Sequence, residues 1–228
     1  MIETNDLFAL ALSLKVAIVA TALNVIIGIP VAYILAKKKF FGKTLLEALI
    51  TLPLVLPPTV VGFYLLVLVG RNGFIGRIVY DMFHVSIVFT WYAAALAAQV
   101  VSMPLMVRAS KAAIATVDPE FENASYTLGK SKLDTIFKVT LPLAKKGIIA
   151  GIVLAFCRAL GEFGATIMVA GNIPGKTTTM PIAIYSAFYA SENRRLHFGV
   201  AILTIMSFAA TFIVNGMEEK GVLQHIKS

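Results

Sequence analysis

Charged side chains are scarce in this chain, and acids are scarcer than bases. Asp, Glu, Lys and Arg make up 14% of 228 residues, with 12 acids against 20 bases. Soluble domains carry about 25%, so an ordinary water-facing surface is excluded. Cysteine is almost missing: Cys157 stands alone, and one thiol builds neither an intrachain disulfide nor a thiolate metal site. The three histidines, His84, His197 and His225, have no ligand spacing among them, which removes the usual zinc arrangements. No nucleophile elbow or H-E-x-x-H run is present, so an intramembrane hydrolase lacks a nucleophile–base set. The opening MIETND carries two acids and no base, unlike the basic start of a cleaved signal peptide.

What remains is apolar. Hydrophobic residues make up 58% of the chain and the mean hydropathy is +0.85. They come in continuous runs rich in Ala, Leu and Gly rather than in alternation, which predicts membrane helices and not barrel strands. Five spans are expected, over 16–36, 45–69, 86–107, 148–170 and 196–215, in a single all-α membrane domain covering 1–228. The first span holds 21 residues, about 31 Å of helix and enough for one crossing. Lys15, just ahead of it, is expected to snorkel to the interface.

The net charge of +8 first suggests nucleic acid, but its distribution argues for topology instead. Lys37, Lys38, Lys39 and Lys43 fill the first loop; Arg108, Lys111, Lys130, Lys132, Lys138, Lys145 and Lys146 fill the third; Lys220 and Lys227 lie in the tail. Thirteen of the twenty bases therefore share one side, against five (Arg71, Arg77, Lys176, Arg194, Arg195) on the other. The excess of basic residues on cytoplasmic loops puts the N-terminus outside, and the segment 108–147 and the C-terminus inside.

That polar segment is built like a folded object. Asp118-Pro119 is a helix start, Gly129 a helix stop, and Ser131 to Asp134 a capping box opening a second helix, which Leu141-Pro142 is expected to end. Two capped helices in one polar loop suit a partner. Asn123-Ala124-Ser125 matches a glycosylation acceptor, a chance match on that side. Gly171 to Thr177 imitates a phosphate loop, but three residues separate its glycines where the pattern needs four, and no strand precedes it. ATP, if used, is therefore handled by another subunit. The stretch 171–195 is too interrupted for a span and suits a short helix dipping into the outer half of the membrane.

Within the spans, Pro57-Pro58 must break a helix, either as a gate facing a wet pathway or as a kink that fits the bundle. Gly147, Gly151, Ala155 and Ala159 form a small-residue ridge for close helix packing. Arg158 and Glu162 sit at i and i+4, expected to share a helix face. A lone charge at mid-bilayer costs roughly 2.5–3.5 kcal/mol, so the pair either lines a polar route or holds helices in register.

These residues resemble a known family, the membrane subunits of bacterial ABC importers. Its signature reads Glu-Ala-Ala, three residues, Gly, nine residues, Ile, one residue, Leu-Pro. Here Asn123-Ala124-Ser125, Gly129 and Val139-Thr140-Leu141-Pro142 keep the spacing, with Asn123 in place of the acid and Glu122 offering a carboxylate one position early. The block from Thr51 to Gly62, the run Gly70 to Gly76, Leu160 to Ile167 and Asn172 to Thr177 are similar to molybdate importer permeases; sulfate permeases share the Gly-Glu-Phe-Gly-Ala block.

The resemblance implies a MetI-like bundle of about five transmembrane helices with a cytoplasmic coupling helix around 119–129, and a transporter subunit rather than an enzyme. It implies a homodimer in the lipid of a bacterial or archaeal cytoplasmic membrane, docked on an ABC ATPase dimer that uses ATP and Mg, with no cofactor bound by this chain. An extracytoplasmic binding protein would deliver molybdate, or tungstate. Candidate coupling residues are Glu122, Asn123, Ala124, Ser125, Gly129, Leu141 and Pro142; candidate pathway or gate residues are Pro57, Pro58, Thr59, Arg158, Glu162 and Thr166. A sulfate-type permease is the nearest alternative. An ion-coupled carrier or channel would leave 108–147 without a role.

Overall fold

The computed structural model describes the backbone over residues 4–226 and side chains over 5–212. Lys227 lies outside the described residues, as do the side chains of Lys220 and His225. Every described regular element is helical: α1 (Thr4–Lys37), α2 (Lys43–Val55), α3 (Pro58–Val69), α4 (Phe74–Phe83), α5 (Trp91–Ala115), α6 (Pro119–Thr127), α7 (Lys132–Thr135), a π turn (Ile136–Thr140), α8 (Leu141–Leu160), α9 (Gly164–Ala170), α10 (Met180–Tyr189) and α11 (Asn193–Ile226). Asn5–Lys37, Trp91–Ala115, Lys132–Leu160 and Asn193–Phe212 are each long and apolar enough to cross a membrane, and α2 with α3 forms a further span or re-entrant loop bent by 116°. The five expected spans all find a helix or helix pair, and the chain is a multi-pass membrane protein.

The boundaries differ from expectation where local chemistry intervenes. The first helix begins at Thr4, which puts Lys15 inside it. Its ammonium sits 3.6 Å from the centroid of the Trp91 ring, a cation–π contact that offsets part of its desolvation cost. The third span starts at Trp91 rather than 86, because the Thr90 side chain accepts the Ala93 N–H at 3.3 Å and caps the helix there. Leu141-Pro142 does not end the second helix of the polar segment. Pro142 falls in the first turn of α8, where a missing N–H costs little, and the π turn before it absorbs the change in hydrogen-bond register. The fourth span is in turn not continuous to 170: it stops at Leu160 and restarts at Gly164. Helix α4 is an unanticipated ten-residue element, and α10, at ten residues or about 15 Å, is too short to cross.

Helix α5 is the hub, packed on both α1 and α8. Its alanines 93–98 are almost wholly buried apart from the partly buried Leu96, so neighbouring backbones come close. The small-residue ridge of α8 lies here as expected: a Cβ on Gly147 would stand 2.5 Å from Ala113 Cβ, and one on Gly151 3.1 Å from Ala109 Cβ. Close packing of this kind drives helix association in lipid. Polar clasps add register. Asn24 donates to Ser102 Oγ at 2.7 Å and accepts from Gln99 at 3.1 Å. Ser13 Oγ accepts the Met180 N–H at 2.7 Å, and Asp6 pairs with Arg195 at 2.9 Å. These fix α10 and α11 to α1.

Candidate functional site

The proline pair and the break after α8 meet. Pro57 is the N-cap of α3 and Pro58 its first residue; the freed Pro57 carbonyl accepts from Val60 and Val61 at 2.9 and 3.2 Å. The start of α3 lies on the start of α9, backbone to backbone. A Cβ on Gly164 would stand 2.9 Å from Pro58 Cβ and 3.3 Å from the Thr59 nitrogen; one on Gly62 would stand 2.8 Å from Ala165 Cα. The 116° bend between α2 and α3 is thus seated on glycines of two helices. Pro57, Pro58 and Thr59 are exposed, whereas Thr166 is buried and its Oγ1 has no hydrogen-bond partner among the described residues.

Arg158 and Glu162 do pair, at 2.7 Å between Nη1 and Oε2, but not across a helix face. Helix α8 ends at Leu160 with Gly161 as its C-cap, so Glu162 lies beyond the break. Its second oxygen, Oε1, accepts the Ala165 N–H at 2.7 Å and thereby satisfies a free donor at the start of α9. The carboxylate is shut in, with its side chain 1% exposed against 28% for Arg158. Glu162 joins the two half-helices, and Arg158 is the accessible member of the pair.

The polar segment is held just as locally as its sequence suggests. Asp118 Oδ1 accepts the Glu120 N–H at 2.9 Å, starting α6, and Gly129 ends the turn at φ +74°. Ser131 Oγ accepts the Asp134 N–H at 3.1 Å and bonds Asp134 Oδ2 at 2.7 Å. The buried hydroxyls of Ser125 and Thr135, 2.9 Å apart, tie α6 to α7.

Glu122 is the residue that ties this segment to the spans. Its Oε1 accepts the Thr140 hydroxyl at 2.6 Å, and its Oε2 lies 3.2 Å from Lys37 Nζ. Lys37 also donates to the Val117 carbonyl at 3.1 Å. One carboxylate therefore links α6 to the end of α1 and to the π turn that opens α8. Asn123 and Ala124 stay exposed, beside an exposed Phe121 and Leu128. Lys37, Thr135, Thr140 and Gly164 were not among the candidate site residues read from the sequence. They lie 85, 10, 18 and 106 residues from Glu122, Ser125, Glu122 and Pro58 respectively, and no periodicity connects such pairs.

The candidate residues thus form two groups rather than one. Leu141 and Pro142 open α8 beside the Glu122 junction, and Arg158 stands near its other end. The intervening helix spans about 25 Å, a stiff rod between the polar segment and the meeting point of α3 and α9.

A family model for the binding-protein-dependent transport system inner membrane component matches residues 28–219. The chain is 48% identical over 205 residues to the molybdenum transport system permease protein of Escherichia coli (strain K12), covering 90% of this chain and 88% of that one. It is 41% identical to a putative molybdenum transport system permease protein of Bacillus subtilis (strain 168), covering 93% and 94%. A sulfate transport system permease protein of Salmonella typhimurium is 34% identical, covering 93% and 76%. Among solved structures, an inward-facing methionine ABC transporter chain aligns with a TM-score of 0.63 at 18% identity, covering 92% and 94%. A chain of a bacterial alginate ABC transporter complex aligns at 0.69 and 14%, covering 96% and 80%. At those identities the structures establish the fold alone.

Proposed function

The chain belongs to the family of binding-protein-dependent transport system inner membrane components, and from that premise we propose that it is the membrane-spanning subunit of an ATP-driven importer of molybdate. It is a transporter subunit and not an enzyme. The observation that carries the substrate is its identity to molybdenum permeases over nine-tenths of its length, clearly above that to the sulfate permease. Tungstate, a similar dianion, is a second cargo.

The working unit is a homodimer of this single-domain chain (1–228) on a cytoplasmic ATPase dimer. ATP and Mg are used by that ATPase, and a binding protein delivers the anion from outside. The basic excess in the first and third loops supports an N-terminus outside and a C-terminus inside a bacterial or archaeal cytoplasmic membrane. Helix α6, with exposed Phe121, Asn123, Ala124 and Leu128, is the surface offered to the ATPase. Closure of the ATPase dimer moves α6, and the Glu122 contacts to Lys37 and Thr140 pass that motion to α1 and α8. Arg158 draws the dianion, while Glu162 keeps the local net charge small, so the hold stays weak enough for release. Pro57, Pro58, Thr59 and Thr166 form the gate beside them, whose helices rock against each other in alternating access.

Reconstitution into proteoliposomes with the cognate ATPase and binding protein tests this. ATP-dependent accumulation of molybdate, outcompeted by tungstate and little by sulfate, is the expected result. Accumulation of sulfate in preference to molybdate would move the chain to the sulfate class. Molybdate flux through the chain alone, without ATPase, would overturn the coupled mechanism.

A further inference from the structure

A groove of about 520 Å³ runs between α1 and the α7–π turn–α8 junction. Val25, Ile29 and Tyr33 line one wall and Ile136, Phe137 and Leu141 the other; apart from the Tyr33 hydroxyl, every lining side chain is apolar. The rim is apolar too, with Ile26, Leu133 and Phe137 each about two-thirds exposed. Such a groove beside the membrane-embedded part of α1 suits a hydrocarbon chain.

The residues at its end make the occupant more specific. Lys38 extends the last turn of α1, its N–H bonded to the Ile34 carbonyl at 2.9 Å, and Ile34 lines the groove. Lys132 opens α7, next to the lining residue Leu133. Lys38 on one wall and Lys132 on the other therefore stand at the same end of the groove, near enough for the charge of Lys38 to act on Lys132. Two other lysines of these elements already have carboxylate partners, Lys37 with Glu122 and Lys138 with Asp134. Neither Lys38 nor Lys132 has a carboxylate partner among the described residues. Two like charges held together ask for an anion between them, and basic pockets between helices on the cytoplasmic side suit lipid headgroups.

We propose that this groove holds an anionic phospholipid, its acyl chain against α1 and the π turn and its phosphate between Lys38 and Lys132. The lipid bridges α1 to the hinge that joins the polar segment to α8. It thereby adds a membrane-composition input to the element Glu122 already ties together. The end of the groove that carries Lys38 and Lys132 faces the inner leaflet in the orientation proposed above, but occupancy itself does not depend on transport.

The test uses the full chain, purified in neutral detergent and loaded with phosphatidylglycerol or with phosphatidylcholine of the same acyl chains. Native mass spectrometry counts the lipid retained. Phosphatidylglycerol is expected to outlast phosphatidylcholine, and Lys38→Gln with Lys132→Gln to weaken its retention about thirtyfold, each basic residue contributing roughly a factor of five. Ile26→Trp, at an exposed rim position, is expected to reduce retention of both lipids by filling the groove. Equal retention of the two lipids by the unaltered chain, or undiminished phosphatidylglycerol in the double variant, would overturn the assignment. So would displacement of the lipid by millimolar inorganic phosphate, which would leave a phosphate site without a lipid. A change in oligomeric mass on Ile26→Trp with no lipid bound would assign the groove to a second copy of the chain.

Discussion

Removing the Glu122 carboxylate should disconnect the polar segment from the spans. Its side chain is 13% exposed and that of Lys37 16%, so the contact is neither a free surface pair nor a fully dry one. Two charge-assisted interactions are lost in Glu122→Ala, at roughly 1.5–3 kcal/mol each. Partial water access favours the lower end, giving about 3 kcal/mol for Ala. Glu122→Gln keeps an acceptor for the Thr140 hydroxyl and loses only the charge toward Lys37, so about 1.5 kcal/mol is expected. SDS-driven unfolding in mixed micelles reads the stability change. Proteoliposomes containing the ATPase read the coupling: Glu122→Ala should retain ATP hydrolysis while moving severalfold less molybdate per ATP. A double-mutant cycle of Glu122→Ala with Thr140→Val should show an interaction energy of about 1 kcal/mol or more, as groups in one hydrogen-bond network do. Unchanged unfolding and stoichiometry in Glu122→Ala, with additive effects in the cycle, would refute the role given to this carboxylate.

Two further substitutions test the turn and the gate. Gly129 sits at φ +74° in open space, so Gly129→Val should cost about 1–2 kcal/mol from backbone strain alone and reduce uptake, whereas Gly129→Asn should be tolerated; near-normal ATP-driven uptake in the valine variant would count against a rigid coupling turn. Gly164→Val should push Pro58 and Thr59 off α9, since even its Cβ would stand 2.9 Å from Pro58 Cβ. An inserted chain with molybdate uptake down by at least about fivefold is expected, from roughly 1–3 kcal/mol of overpacking, and normal uptake would remove this contact from the gate.

The features legible along the chain were those governed by near neighbours. Asp118, Gly129 and Ser131 act within four residues of themselves, and each performs the capping or turning role its type suggests. The five apolar runs are legible because a helix in lipid satisfies its own backbone hydrogen bonds. The illegible features involve a choice among distant partners. Glu122 stood one position away from the family's acid and drew notice only for that, yet its value lies in Lys37 and Thr140. Arg158 and Glu162 have the right spacing for a helix face. The pair forms instead across the break at Gly161, because Glu162 also meets the open donor at Ala165. Pro142 illustrates the same limit: a proline stops a helix unless the turn before it can change register, and the π turn does so here.

Composition and order of residues by themselves determined that the chain is an all-helical membrane protein, which runs form its apolar helices, and that its polar segment is two capped helices. Those outcomes follow from transfer free energy and hydrogen bonding within a few residues. Tertiary structure alone decided that α3 bends onto α9 at Gly164 and that one carboxylate joins α6 to α1 and α8. It also brought Lys38 and Lys132 to one end of an apolar groove. Those depend on which distant surfaces fit, and shape and charge are matched only once the helices have packed.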